Sequence, residues 1–141
     1  MKKALIISVL SVLFPLLGRS QIVDEVPRQT VVEWLARVDA GKYEESWKTA
    51  SPFFQKASSM KEWVEKIGRS RSRMGLLQER EFIKGRFLRD PDGVPTGEYF
   101  ALEFETEFEK TKITEIVVVM RDQTGLWQVS SYSVSDQSRG R

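Results

Sequence analysis

Cysteine and histidine are both missing from the chain, and the two absences together remove most familiar catalytic chemistry. Without cysteine there is no disulfide framework and no thiolate nucleophile. Without histidine there is no imidazole base and no serine–histidine–aspartate relay. Zinc, haem and iron–sulfur sites built on those residues are excluded as well, which leaves only oxygen-ligand metals open. What remains for catalysis is carboxylate, tyrosine, lysine and arginine, and no cofactor is expected. The rest of the composition is ordinary: 141 residues, 40% hydrophobic and 30% charged, make one folded domain and argue against wholesale disorder.

Residues 1–20 read as an export signal. Met1-Lys2-Lys3 is a positive start, an apolar run follows over 4–18, and small residues at Gly18 and Ser20 precede a cut before Gln21. The apolar run is short for a spanning helix, which needs about 20 residues, and it carries Pro15. The competing reading is an uncleaved anchor, the one route by which the chain would engage a membrane. The expected address is therefore exported, periplasmic or secreted. Removing Lys2, Lys3 and Arg19 with the leader leaves 19 basic against 20 acidic residues, a net of −1. Such a near-neutral protein has no bulk electrostatic case for nucleic acid.

After a lead-in over 21–30, the period is helical. Val31, Trp34, Leu35 and Val38 form one stripe, with Thr30 and Glu33 at capping-box spacing and Gly41 as a stop. A second helix is expected over 43–50 and a short third after Ser51-Pro52. A longer one opens at Ser59, with Glu62 three residues on, and runs to about residue 72. Near Gly75 the period switches to 2, with strands over 76–89, 97–110, 112–121 and 126–134 separated by short turns. In the second, Phe100, Leu102, Phe104 and Phe108 share a face, with Tyr99, Ala101 and the row Glu103, Glu105, Glu107, Glu109 opposite. Helices followed by a meander make an α+β domain, N-terminal helices packed on a curved antiparallel sheet of about four strands, over 31–134. A polar tail occupies 135–141.

The ordered series Trp34-Leu35, Asp39-Ala40-Gly41-Lys42-Tyr43 and Ser46-Trp47 resembles the opening of the family catalogued as domain of unknown function 4019. Trp63, Arg71 with Arg73-Met74-Gly75 and Arg80, Pro95-Thr96-Gly97-Glu98-Tyr99, Thr114-Glu115 and Gly125-Leu126-Trp127-Gln128-Val129 extend the resemblance over about 31–134. It implies a cone-shaped fold like that of nuclear transport factor 2, in which helices and a curved sheet enclose a pocket, and no activity. One departure is Ser131 before Tyr132, where the family pattern has glycine.

Each candidate site residue also has a plain structural role open to it. The glutamate row suits a solvated outer face, paired across strands with Lys84, Arg86 or Arg121, better than a cation site. Arg69, Arg71 and Arg73 suit compensation of a helix C-terminus, with Arg73 expected to turn inward. Glu98 and Tyr99 at the mouth of a cone would serve as base and donor, as such pockets do elsewhere. The competing expectation ties Glu98 to Arg73 or Arg80. Asp39 is expected as a cap or turn acceptor before a base. Trp34, Trp47, Trp63 and Trp127 are expected as core, each needing a partner for its indole N–H. The candidate binding set is thus Arg73, Arg80, Glu98, Tyr99 and Tyr132, with no metal ligands. The preferred function is non-enzymatic: binding a small apolar ligand or an envelope protein. The alternatives are an isomerase or dehydratase using carboxylate and tyrosine, and a homodimer formed through the outer sheet face.

Overall fold

A computed structural model describes residues 19–136. The expected leader lies, up to residue 18, outside the described residues, and so do residues 137–141 of the tail. The elements are α1 (Arg19–Asp39), α2 (Tyr43–Thr49), α3 (Pro52–Ala57), α4 (Met60–Met74), β1 (Leu77–Arg89), β2 (Glu98–Phe108), β3 (Lys112–Arg121) and β4 (Trp127–Asp136). Among the described residues no helix is long and apolar enough to cross a membrane.

Two of the helix starts work as their sequences suggest. The Ser59 hydroxyl accepts from the Glu62 amide at 3.2 Å, and the Ser59 amide donates back to the Glu62 carboxylate at 2.9 Å, a complete capping box. Ser51 accepts from the Phe54 amide with Pro52 at the first helical position. The third start differs. Thr30 does not cap α1, because the helix begins at Arg19 and runs through Pro27. The Thr30 hydroxyl instead donates to the Val26 carbonyl one turn back, at 3.0 Å, a bond open to threonine inside a helix.

The four strands pair antiparallel in the order β1-β2-β3-β4, an open meander with β1 and β4 at its edges. The helices cover one face. Phe87, Phe100, Val119 and Val129 form one inward row across the sheet, and Gly85, Leu102, Val117 and Tyr132 form the next. Under them sits an aromatic cluster in which the rings of Trp34, Phe54, Trp63 and Tyr132 approach at centroid distances of 5.0 to 6.1 Å. All three helical tryptophans find partners for their indole N–H. Trp34 donates to the Ser46 carbonyl, Trp63 to the Ser46 hydroxyl and Trp47 to the Ser58 carbonyl, at 2.8, 2.9 and 2.8 Å. Trp127 is only half-buried, beside Arg121.

Three β-bulges set which residues face inward. One lies between Phe82 and Lys84, a second between Val118 and Val119 opposite Ser130, and a third between Leu77 and Glu79 at the start of β1. Each adds a residue and so reverses the alternation beyond it. Phe82 and Phe87 therefore share the inner face although their separation is odd, and so do Val129 and Tyr132. The first bulge brings Gly85 under the Phe100 ring. A β-carbon there would lie 2.5 Å from that ring. Gly85→Ala is thus expected to displace Phe100 and cost about 1–3 kcal/mol, as overpacking does. Equal urea midpoints for variant and wild type would show that the ring moves aside freely.

Candidate functional site

The most concentrated chemistry lies where the two long helices end over the start of the sheet. The C-terminus of α1 delivers Asp39, and the last turn of α4 delivers Arg71. From the sheet, β1 supplies Arg80, β2 Thr106, β3 Glu115 and β4 Tyr132. Glu115 is fully buried and Thr106 likewise. Arg80 bonds both acids: its Nε donates to Glu115 Oε1 at 2.8 Å, and its Nη atoms donate to the two Asp39 oxygens at 2.6 and 3.0 Å. Arg71 donates to Asp39 Oδ1 at 2.8 Å and lies 3.6 Å from Glu115 Oε2. Thr106 and Tyr132 complete the shell, donating to Glu115 Oε1 and Oε2, each at 2.5 Å.

The charges balance, two guanidiniums against two carboxylates, as a buried cluster requires. Burial by itself would make the Arg80 guanidinium easier to deprotonate. The hydrogen bond to Asp39 and the charge of Glu115 outweigh it and hold the proton more firmly than usual. Burial, reinforced by the Glu115 charge, pushes the Tyr132 phenol well above its ordinary value, so Tyr132 stays a donor. Arg71 is the least satisfied member. Its Nε and Nη2 have no hydrogen-bond partner among the described residues, and its guanidinium lies 4.8 Å from the Phe108 ring centre, a cation–π contact. Both Glu115 oxygens thus accept hydrogen bonds from within the cluster.

This arrangement reassigns several of the expected residues. Arg80 and Tyr132 belong to the cluster, but Arg80 turns to Asp39 and Glu115 rather than to Glu98. Arg73 is exposed, and Arg71 is the arginine that turns inward. The reason is helical phase: Arg71 follows Ile67 by one turn on the buried face, whereas Arg73 lies off it. Glu98 is tied across the sheet to Arg121 and Arg89, its register partners on either side. Tyr99 was expected beside the outer glutamates, yet it is 2% exposed. Its hydroxyl donates to the Pro95 carbonyl at 2.7 Å, which folds the β1–β2 loop back over the ring. Glu98 and Tyr99 thus turn to different partners, the one to Arg121 and Arg89 and the other to the Pro95 carbonyl.

The glutamate row stays on the outer face without converging. Glu103 pairs with Lys84, Glu105 with Lys112, and Glu109 accepts from the Leu76 amide. Arg121 leaves that face for Glu98. Among the described residues no group of acids is placed to hold a metal ion. Glu115 and Thr106 join the site without having been among the expected residues, although each leaves a trace in the sequence. Both interrupt an inward apolar alternation, Ile113-x-Glu115-x-Val117 in β3 and Phe104-x-Thr106-x-Phe108 in β2.

A second feature is a cleft of about 490 Å³ at the other end of the sheet, between the start of α3 and the turn joining β3 to β4. Pro52, Phe53, Pro95, Met120 and Leu126 make its wall, with Lys56 and Asp122 among its polar lining residues. Leu126 is 64% exposed. Hydrogen bonds from the Thr124 hydroxyl and amide hold the Asp122 carboxyl below its ordinary range. That acid is therefore already satisfied, whereas Lys56 makes no ion pair among the described residues.

Helices on one face of an open four-stranded meander, with a charge-balanced tie under them, define an α+β domain compatible with the cone of the nuclear transport factor 2-like folds. The chain belongs to the family described as protein of unknown function DUF4019, whose family model matches residues 30–132. A solved structure of a protein from Catenulispora acidiphila is similar over 85% of this chain and 95% of that one, with a TM-score of 0.57 at 14% identity. Likeness at that identity speaks to fold alone. No curated protein matches the sequence.

Proposed function

We propose that this is an exported, non-enzymatic domain that binds a small apolar molecule with an acidic end in the cleft beside α3. The observation that carries the reading is the apolar wall of that cleft, with exposed Leu126 on it. A large aliphatic side chain left in water next to a concave apolar surface favours occupation by an apolar ligand. Lys56 supplies a cation for the ligand's polar end. The interior supports the same reading from the opposite side: the place where a cone would hold substrate is filled by the aromatic cluster and the Asp39–Arg71–Arg80–Glu115 tie. Export rests on the leader-like residues 1–20.

Fluorescence titration with dansyl-labelled undecanoic acid tests the reading. Saturable one-site binding is expected. Leu126→Asp should weaken it about tenfold or more, because burying a leucine contributes roughly 1.5–3 kcal/mol. Lys56→Glu should weaken it about two- to fivefold, as for an exposed ion pair. Unsaturable binding, or equal affinities in both variants, would remove the cleft from consideration.

A further inference from the structure

We propose a second binding surface, independent of the cleft: the groove between α4 and the free edge of β4 takes an acidic peptide in extended conformation. Two contiguous hollows of about 430 and 270 Å³ run along it and share Lys66, Ser70 and Val134. Their floor is apolar, with Met74, Ile113 and Val134 in one and Trp63, Ile67 and Tyr132 in the other.

Three observations define the occupant. First, Lys66, Arg69 and Arg73 line the groove at helical spacing, exposed and without an ion pair among the described residues. Arg71, the cation between them in sequence, is the one consumed inside. Second, β4 is an edge strand, and every second residue of an edge presents an unpaired N–H and C=O. At its beginning that edge is already used, since the Ser51 amide donates to the Val129 carbonyl at 2.8 Å, and from 131 to 135 no further strand pairs with it among the described residues. Third, the side chains here are uncharged, with Ser131, Ser133 and Ser135 alternating with Tyr132 and Val134, so an incoming backbone meets no bulky charge. Asp136 stands at the far end of the groove and limits how far an acidic chain extends.

A strand added to this edge sets alternate side chains towards α4, where acidic groups meet the three cations. An anionic membrane would use the cations alone, whereas a peptide also uses the apolar floor and the strand edge beside them.

The test is nitrogen-15 NMR titration of the full chain with a short blocked peptide alternating glutamate and valine. Amide shifts are expected along β4 after Ser130 and along α4 from Lys66 to Arg73, with affinity falling as salt rises. Reversing Lys66, Arg69 and Arg73 to glutamate should lower affinity at least about tenfold, and the milder Arg69→Gln alone about two- to fivefold. Methylating the peptide's backbone nitrogens should abolish binding, since an edge strand needs them. Equal binding by the methylated peptide, equal binding by a lysine–valine counterpart, or shifts confined to other elements would each overturn the proposal. Binding to phosphatidylglycerol vesicles through these cations, with none to the peptide, would overturn it in favour of a membrane surface.

Discussion

Glu115→Gln is expected to cost about 3–5 kcal/mol of folding stability, the loss seen when one partner of a buried charged group is removed. The substitution keeps size and shape but withdraws a negative charge from between two guanidiniums. Arg80 and Arg71 are left with Asp39 alone, which lies at the solvent side of the cluster, whereas Glu115 is fully buried. Thr106 and Tyr132 lose a charged acceptor at the same time. For a domain of this size such a loss lowers the melting temperature by well over about 10 °C. Replacing Arg80 by methionine in the same chain should recover part of the loss, because the charge that Glu115 balanced is then gone. A melting temperature unchanged by Glu115→Gln, or strictly additive effects in the double variant, would mean that the tie contributes nothing as a unit.

The second large effect belongs to the aromatic cluster. Trp63→Ala is expected to lower stability by about 3–5 kcal/mol, the range for truncating a large core side chain. Trp63 is 4% exposed and touches Trp34, Phe54 and Tyr132. Its removal opens a cavity among rings anchored on three other elements, α1, α3 and β4, and those cannot all relax towards it. It also leaves the buried Ser46 hydroxyl without its indole donor, a further penalty. Trp34→Ala should cost a similar amount, since its indole holds the Ser46 carbonyl. Trp47→Ala should cost less, because Trp47 is only partly buried. Urea midpoints should therefore rank Trp34→Ala and Trp63→Ala well below Trp47→Ala. An equal ranking would place the centre of the core elsewhere.

Much of the fold was legible because local signals and burial agreed. The Ser59–Glu62 box, the Ser51-Pro52 start and the alternating phenylalanines of β2 each act over a few residues, and tertiary packing did not override them. The helix-to-strand switch at Gly75 was legible for the same reason. Thr30 shows the limit: its spacing to Glu33 is that of a cap, yet residues before it also took up helix, and Pro27 inside a helix is a cost that sequence alone argues against. Sites proved harder to read than elements. The partner of Arg80 depends on which residues the sheet register sets side by side, and three bulges alter that register with neither glycine nor proline at the extra residue, Gln78, Ile83 or Ser130. The bulge at Ser130 is the reason Tyr132 reaches Glu115, since simple alternation from Val129 would point it outward. Arg71 and Arg73 differ by only two positions, so choosing between them needed the helical phase of Ile67. Glu115 was visible as a charged residue in an apolar alternation, a pattern that signals a buried partner more often than an exposed side chain.

If a ligand occupies the cleft beside α3 while the buried charges hold the fold, carbon-13 NMR of the methionine methyl groups will separate the two, because three methionines sample different places. Met120 lines the cleft, Met74 lies in the groove between α4 and β4, and Met60 opens α4. Addition of dansyl-labelled undecanoic acid should move the Met120 resonance and leave Met60 and Met74 in place. A bound probe that moves Met74 instead, or leaves Met120 unmoved, would place the ligand outside the cleft.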